Sequence, residues 1–213
     1  MRFLRWHYPG QVRRVGGASS RPLSPVRPGS PYADGIVTHD AFVEELAQSR
    51  IGDTFNQYRE GPRAGLLRAR LRAYLAARSA APILLVGEAP GYRGARVSGI
   101  PFTSECQLAG VGPAEASATI VHRTLEELDL EERVLLWNVV PTHPGTVDSN
   151  RVPSRSEVAV GLEFVSELAV NRRILCVGRV AHDALGGTYL RHPSHGGARA
   201  FRSGLEQVAA ELL

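Results

Sequence analysis

The sequence has 213 residues, which suits one α/β domain with a substantial core and is too short for two. It contains no apolar run near the roughly 20 residues that span a bilayer, and residues 1–9 lack the uninterrupted apolar segment of a secretory signal. Its two cysteines cannot build a disulfide framework or a four-cysteine metal site. We therefore expect a cytoplasmic protein with no membrane partner and no cofactor.

The charge balance is 25 basic against 21 acidic residues, a net charge of +4, and all 25 are arginine. This excess is weak evidence for a nucleic-acid partner, and it equally fits a genome of biased base composition. The absence of lysine says more, because an enzyme that acts through a Schiff base usually forms it with a lysine amine. In this sequence only the terminal amine could substitute for lysine, so a hydrolytic mechanism by water is favoured over a Schiff base.

The chain divides near residue 39. Residues 1–38 are rich in Pro, Gly, Ser and Arg without a sustained period, which predicts a flexible or peripheral extension to a domain over 39–213. Residues 40–48 look helical, and residues 51–58 form a short mixed segment. An apolar stripe at helical spacing, with arginines on the other face, predicts a second helix. It consists of Leu66, Leu67, Leu71, Tyr74 and Leu75.

Four apolar runs of strand length follow, the last weaker than the others. They cover residues 82–86, 134–137, 174–177 and 188–190. Helical patterns separate them and close the chain. The first pattern is marked by Ile120, Val121, Leu125 and Leu128. The second begins with the capping-box pair Ser154 and Glu157 and carries Val158, Leu162, Val165 and Ala169 on one face. Residues 179–185 form a short third pattern, and residues 203–213 form the last. Apolar strands that alternate with helices predict an α/β fold with a central parallel sheet.

The polar and glycine-rich segments come after the strands. Residues 87–91 follow the first strand, 138–150 the second and 192–197 the fourth. Ligands of an open parallel sheet bind beyond the carboxyl ends of its strands. We therefore expect these three segments to form one site. Each motif alone has an ordinary explanation, since residues 87–91 could be a plain tight turn and lack the G-x-G-x-x-G pattern of a dinucleotide site.

Four short segments follow one another along the chain: Gly87-Glu88-Ala89-Pro90-Gly91, Gly99-Ile100-Pro101-Phe102-Thr103, Asn138, and His192-Pro193-Ser194. In order and spacing they resemble the motifs of the uracil-DNA glycosylase superfamily. Residues 150–154 with Glu157 are similar to the Asn-Arg-x-Pro-Thr/Ser stretch of its bacterial and archaeal branches. The resemblance runs from about Phe55 to the C-terminus. It implies a three-layer α/β/α sandwich with a central four-stranded parallel sheet.

The resemblance also implies a function. A monofunctional DNA glycosylase is expected to hydrolyse the N-glycosidic bond of uracil or another deaminated base in DNA, as a monomer that initiates base-excision repair. Its pocket residues would be Phe102, stacked on the extruded base; Asn138, reading the pyrimidine edge; and His192, donating to the O2 oxygen of the leaving base. A loop would enter the minor groove, with Arg199 as the wedge that holds the duplex open. The residues of this loop are Ser194, His195, Gly196, Gly197 and Arg199.

Two positions of the first motif depart from the best-known branch. Ala89 and Gly91 stand where that branch carries a water-positioning aspartate and a tyrosine that rejects thymine. The adjacent Tyr92 is the candidate residue for rejecting thymine in place of that tyrosine. Glu88 and Glu105 are the substitute carboxylates, with Glu88 expected to line the pocket and Glu105 to position water. A solvated surface glutamate is the ordinary alternative for Glu105.

Metal content is a further departure. The two branches with the most similar Asn-Arg-x-Pro stretch hold an iron–sulfur cluster through four cysteines. Cys106 and Cys176 are too few, and Cys176 lies in an apolar run typical of the core. We therefore expect no cluster, and the histidines lack a convincing zinc spacing.

Two other functions remain open from the sequence. A catalytically weak or inactive member of the superfamily could bind DNA or a modified base, which the missing aspartate favours. An enzyme acting on a free nucleotide or small metabolite is the third alternative.

Overall fold

The computed structural model describes residues 39–211, so the predicted extension over 1–38 and the last two positions of the predicted final helix lie outside the described residues. Two helices precede the sheet, α1 at His39–Gln48 and α2 at Ala64–Ala77, and they pack on each other. The buried face of α2 includes Leu67, Leu71 and Leu75. Leu66 was predicted to share this face but is 47% exposed, because one residue of helix turns a side chain about 100° away from the stripe.

The sheet has four strands, all parallel, in the order β2-β1-β3-β4. They are β1 at Ile83–Gly87, β2 at Val134–Asn138, β3 at Arg173–Val177 and β4 at Thr188–Leu190. Every residue of β1 and β2 is buried, as expected for strands covered by helices on both faces. The predicted four-stranded parallel sheet and α/β class are confirmed.

Helices connect the strands. Between β1 and β2 lie α3 at Ala95–Ser98, α4 at Glu105–Ala109, α5 at Ala116–Glu127 and a 3-10 turn at Glu131–Arg133; α6 at Arg155–Leu168 precedes β3, α7 at Arg179–Leu185 precedes β4, and α8 at Ala198–Ala210 follows it. The sequence analysis did not predict α3 and α4, because one helical turn carries no periodic stripe. It also began α8 at residue 203, whereas the buried Phe201 draws the helix start back to Ala198.

Helix α6 begins with the predicted capping box, in which the Ser154 side chain accepts from the Glu157 backbone N–H. In its predicted core face Val165 and Ala169 are buried, whereas Val158 and Leu162 are half-buried and pack against the core from its margin. Gly161 lies close to the chain that follows β2, because a side chain there would overlap the carbonyl oxygen of Val139. The helix therefore approaches the end of β2 through Gly161, and the neighbouring Phe164 enters the core.

The core is continuous around the sheet. The ring of Trp137 in β2 lies 5.5 Å from that of Phe42 in α1, which in turn lies 5.7 Å from the ring of Phe164 in α6. Cys176 is buried in β3, as predicted. Within residues 39–211, no helix combines the length and apolarity needed to cross a membrane.

Candidate functional site

A cavity of about 290 Å³ lies at the carboxyl edge of the sheet. Its lining comes from the segments that follow β1, β2 and β4, together with the N-terminal end of α5. This is the edge at which the sequence placed the site, because the carboxyl ends of parallel strands meet there.

The structure brings some of the predicted site residues together and leaves others outside. Those that line the cavity are Glu88, Ala89, Gly91, Phe102, Asn138, His192, Ser194 and His195. Those that do not line it are Tyr92, Glu105, Gly196, Gly197 and Arg199. The lining also includes residues that were not predicted as site residues, among them Ala95, Glu115, Ser117, Pro144, Asn150 and Arg151.

Phe102 and Asn138 lie side by side over the end of β1. Gly87, the last residue of β1, pairs in register with Asn138 of β2. A Cβ atom at Gly87 would overlap the Phe102 ring and would lie 3.0 Å from the Asn138 side-chain oxygen Oδ1. Glycine is therefore required at position 87, where it leaves room for an aromatic ring beside a 4% exposed amide.

The backbone of Phe102 has a φ of 53°, a left-handed conformation that is uncommon for an aromatic residue. The following residue helps to hold it there: the Thr103 N–H donates to the Ile100 carbonyl at 3.2 Å, and the Thr103 hydroxyl lies 3.0 Å from His122 Nε2. Burial, together with the charge of Arg78, lowers the pKa of His122 to about 4, so its ring is neutral near pH 7. Such strain persists where the surroundings over-determine it.

His192 follows β4, and its Nδ1 accepts a hydrogen bond from the backbone N–H of Ser194 at 3.2 Å. A backbone N–H can only donate, so a neutral His192 ring carries its proton on Nε2. Burial, with the nearby charges of Arg191 and His195, lowers the pKa of His192 below its ordinary value. The ring is therefore neutral near pH 7 and has Nε2–H to offer to a ligand in the cavity.

Two carboxyl groups line the cavity. Glu88 comes directly after β1, and burial raises the pKa of its carboxyl. Glu115 lies immediately before α5, and burial raises its pKa as well, partly opposed by a hydrogen bond with the Ser117 side chain. Glu115 was not predicted from the sequence, where its one signal is an atypical residue type for the position before a helix.

Glu105 has a different environment. Its carboxylate accepts from Arg63 at 2.7 Å and from Arg70 at 2.8 and 3.1 Å. Burial acts to raise the pKa of Glu105, but these hydrogen bonds outweigh it and the pKa is lowered. At 9% exposure the residue is not the solvated glutamate of the ordinary alternative. It is not among the residues that line the cavity, which does not support the predicted water-positioning role.

The segment at residues 150–157 braces the site. Asn150 Oδ1 accepts from the Tyr92 backbone N–H at 2.9 Å, which ties the segment to the loop after β1. Arg151 makes a two-bond ion pair with Glu157 at 2.6 and 2.7 Å. Hydrogen bonds from Arg151 overcome burial and, with the Ser154 and Asp53 N–H groups, lower the pKa of Glu157 to about 2. Both Asn150 and Arg151 also line the cavity.

His143 makes a second brace between the same loops. It is fully buried, with Nδ1 2.8 Å from the Pro90 carbonyl oxygen and Nε2 2.7 Å from that of Thr146. Its backbone exchanges two hydrogen bonds of 2.9 Å with Phe55. Pro90 lines the cavity, so His143 helps to fix the position of that wall.

The segment after His192 lies at the mouth of the cavity. His195 is exposed, with a left-handed φ of 51°, and Gly196 has a φ of 75° with open space around it. A side chain at Gly197 would overlap the carbonyl oxygen of His192, so this glycine lets the segment fold back before α8. Arg199 is exposed in the first turn of α8. Ser194 and His195 reach the cavity, and the rest of the predicted DNA-binding segment lies beside it.

Among residues 39–211, no group of three or more His, Cys, Asp and Glu side chains is placed to hold a metal ion. Cys176 is inside the sheet and Cys106 is half-buried in α4, so this pair does not fit an iron–sulfur cluster. That the protein functions without a cluster stays a prediction.

The fold and cavity define an α/β protein with a small cavity at the carboxyl edge of its parallel sheet. The chain belongs to the uracil DNA glycosylase superfamily, whose sequence model matches residues 75–210. The predicted membership is confirmed. The crystal structure of wild-type SMUG2 from Pedobacter heparinus has the same fold, with a TM-score of 0.59 and 12% sequence identity over 83% of this chain and 97% of that chain. No curated protein matches the chain in sequence.

Proposed function

We propose that the protein is a monofunctional DNA glycosylase that hydrolyses the N-glycosidic bond of uracil or another deaminated base in DNA, the first step of base-excision repair. One observation carries the proposal: Phe102, Asn138 and His192 line a single cavity in a chain of this superfamily. The cavity of about 290 Å³ is at the small end of ligand pockets, which suits one flat base. The base must leave the duplex stack to enter it.

Recognition rests on the ring and the amide. The Phe102 ring supplies an aromatic face on which an extruded base can stack. The Asn138 amide can accept from the pyrimidine N3–H and donate to O4 at once. Because both groups lie against Gly87, the base is held at a fixed height above the end of β1.

Departure of the base depends on His192. As the C–N bond breaks, its electron pair moves onto the pyrimidine and positive charge develops on the sugar. The Nε2–H of neutral His192 donates to the O2 oxygen, where the negative charge collects. Loss of one such preorganised donor typically lowers the rate on the order of 10²–10³.

Glu88 is the carboxylate we assign to the attacking water. It lines the cavity, whereas Glu105 is paired with two arginines outside it. Burial raises the pKa of Glu88 toward neutrality, which favours a group that must accept a proton from water. Water then adds its oxygen to the sugar C1′, its proton passes to Glu88, and the proton finally neutralises the released base.

The product is an abasic site in an intact strand. The chain has no lysine, so the Schiff base that precedes strand cleavage has no lysine amine from which to form. The proposed partner is DNA that contains deaminated bases, and the protein is proposed to act as a monomer in the cytoplasm.

A labelled duplex with a single uracil tests this proposal. We expect alkali-labile abasic sites with the wild-type protein and a fall on the order of 10²–10³ in His192→Ala. Asn138→Ala should also lose activity. His182→Ala and Asn171→Gly are matched controls, because both residues lie outside the cavity and the φ of Asn171, 60°, suits glycine. Full activity in both cavity variants would contradict the assignment of the site.

Binding without catalysis is the second candidate function, because Ala89 stands at the expected water-positioning aspartate. Tight binding to uracil-containing DNA with no abasic sites would favour it. Affinity that is insensitive to salt would instead favour a free nucleotide or metabolite, since contacts to several phosphates weaken steeply as salt rises.

A further inference from the structure

The proposed reaction gives no role to Glu115, a cavity residue that carries a carboxyl group. Glu115 lines the cavity and is half-buried there. It follows the five-residue loop 110–114 and directly precedes the twelve-residue helix α5. Ala118 and Val121 of that helix are fully buried, so the end of α5 that presents Glu115 is anchored in the core.

The loop after β1 is shaped around this carboxyl group. A Cβ atom at Gly91 would overlap Glu115 Oε1, and one at Gly94 would overlap Oε2. The loop is closed by the Gly94 N–H, which donates to the Gly91 carbonyl at 3.0 Å. Two glycines therefore leave room for one carboxyl group, and a side chain at either position would displace it.

The carboxyl group also keeps free hydrogen-bonding capacity. Glu105 and Glu157 are each neutralised by arginine, whereas within residues 39–211 no cation lies in an ion pair with Glu115. In the described part of the chain, the side chain that hydrogen-bonds to it is Ser117. Two carboxylate oxygens accept about four hydrogen bonds, so Glu115 can accept more from a ligand.

The edge that Glu115 meets follows by elimination, and this step rests on the proposed function. In an extruded pyrimidine, N1 is bonded to the sugar and Phe102 covers a face. His192 takes O2, and Asn138 takes N3–H and O4. The edge left for a further polar group of the cavity is the one that carries C5.

We propose that Glu115 is a specificity-determining residue that reads the C5 edge of the base. Its carboxyl group accepts a hydrogen bond from an O–H or N–H donor on C5. A methyl group on C5 would shield the carboxyl group from water without donating a hydrogen bond to it, which is unfavourable for a polar group removed from water. The favoured substrates are pyrimidines whose C5 substituent carries a donor, and thymine is disfavoured.

The test uses two duplexes that differ in one hydroxyl group, 5-hydroxymethyluracil and thymine, each opposite guanine. For the wild-type protein we expect kcat/KM to be on the order of 100-fold higher for 5-hydroxymethyluracil, since a site with an unmet acceptor rejects the analogue that lacks the donor. In Glu115→Ala this ratio should fall at least about tenfold. Glu126→Ala is the matched control, because that glutamate is exposed on the same helix and should leave the ratio unchanged.

Gly91→Ala is the second variant, because the added methyl group displaces the carboxyl of Glu115 without removing it. It should lower the ratio in the same direction, and thermal unfolding identifies a variant that does not fold. Equal falls for both bases in Glu115→Ala, or an unchanged ratio, would overturn the inference. Absence of release of any base, uracil included, would count against the proposed function instead. Affinities for duplexes with non-hydrolysable 2′-fluoro forms of the two bases then test the inference separately, with the same ratio expected.

Discussion

Two pairs of glutamates occupy this domain in opposite electrostatic settings. Glu105 and Glu157 are each held by arginine, and the pKa of both carboxyls is lowered. Glu88 and Glu115 face the cavity, and burial raises the pKa of both. The carboxylates of the first pair form ion pairs that hold loops and helices in place. The second pair is positioned to exchange protons or hydrogen bonds with a ligand, which is the environment typical of functional carboxyls.

Sequence reasoning could not separate these pairs, because the difference depends on what each carboxyl meets in the fold. Glu105 meets Arg63 and Arg70, which are 42 and 35 residues away in the chain. In this protein an arginine partner, and not a position near a motif, therefore distinguishes a structural glutamate from a candidate catalytic one. The following variants test that distinction.

Glu88→Gln is expected to have the largest effect. If Glu88 accepts a proton from the attacking water, the neutral amide should lower kcat for uracil release by about 10²–10⁴. The free energy of unfolding should change little, because no arginine is in an ion pair with Glu88 among the described residues. Single-turnover kinetics and urea unfolding measure the two quantities.

A pH profile provides the control for this variant. Activity should fall as the pH drops through the pKa of Glu88, which burial places above the ordinary 4.5. That acid limb should be absent from the residual activity of Glu88→Gln. An acid limb of the same midpoint in both proteins would assign the proton to another group.

Glu157→Gln should mainly affect stability. The substitution removes the negative charge that accepts hydrogen bonds from Arg151 and from two backbone N–H groups. We therefore expect the free energy of unfolding at pH 7 to fall by roughly 2–3 kcal/mol. Since the folded pKa, about 2, is below the ordinary 4.5, this contribution is present above about pH 4.5 and disappears as the pH falls toward 2. Urea unfolding of wild type and variant at pH 7 and pH 3 measures it, with exposed Glu126→Gln as control. A difference that grows on acidification would refute the linkage.

Glu105→Gln should have a smaller effect of the same kind. Its two arginine partners are partly exposed and can turn to water, so we expect a loss of about 1–2 kcal/mol in the free energy of unfolding. kcat for uracil release should stay within about threefold of wild type, because its carboxylate does not line the cavity. A fall in kcat as large as that of Glu88→Gln would restore the water-positioning role predicted from the sequence.

The sequence specified the sheet well because of how its strands are buried. Strands β1 and β2 are covered on both faces, so they appear as continuous apolar runs, and the Ser154–Glu157 capping box is a local signal. Phe102, Asn138 and His192 were also identified, because each lies at a strand end or in a recognisable motif. They meet at the cavity as expected from the parallel topology.

Other features depend on contacts that no local pattern encodes. Glu115 was missed because Gly91 and Gly94, which make room for its carboxyl, lie on a different loop. The N-terminal turns of the connection between β1 and β2 were missed because α3 and α4 have four and five residues, too few for a periodic stripe. Val158 and Leu162 of α6 are less buried than Val165 and Ala169 of the same predicted face, because the helix approaches the chain after β2 through Gly161.

Two glycines, one in α2 and one beside the cavity, differ in what an added methyl group would meet. Gly65 lies in α2, the helix that also carries Arg70, and a Cβ atom there would have nothing within 4 Å. Gly65→Ala should therefore raise the free energy of unfolding by about 0.5–1 kcal/mol, through the higher helix propensity of alanine and reduced entropy of the unfolded chain. Urea unfolding measures the gain, and base release should be unchanged. Gly91→Ala adds the same methyl group where the Glu115 carboxyl lies, so it should alter base selectivity. A change of selectivity in Gly65→Ala as well would mean that the two regions are energetically coupled, and that the arginine-paired glutamates also influence the cavity.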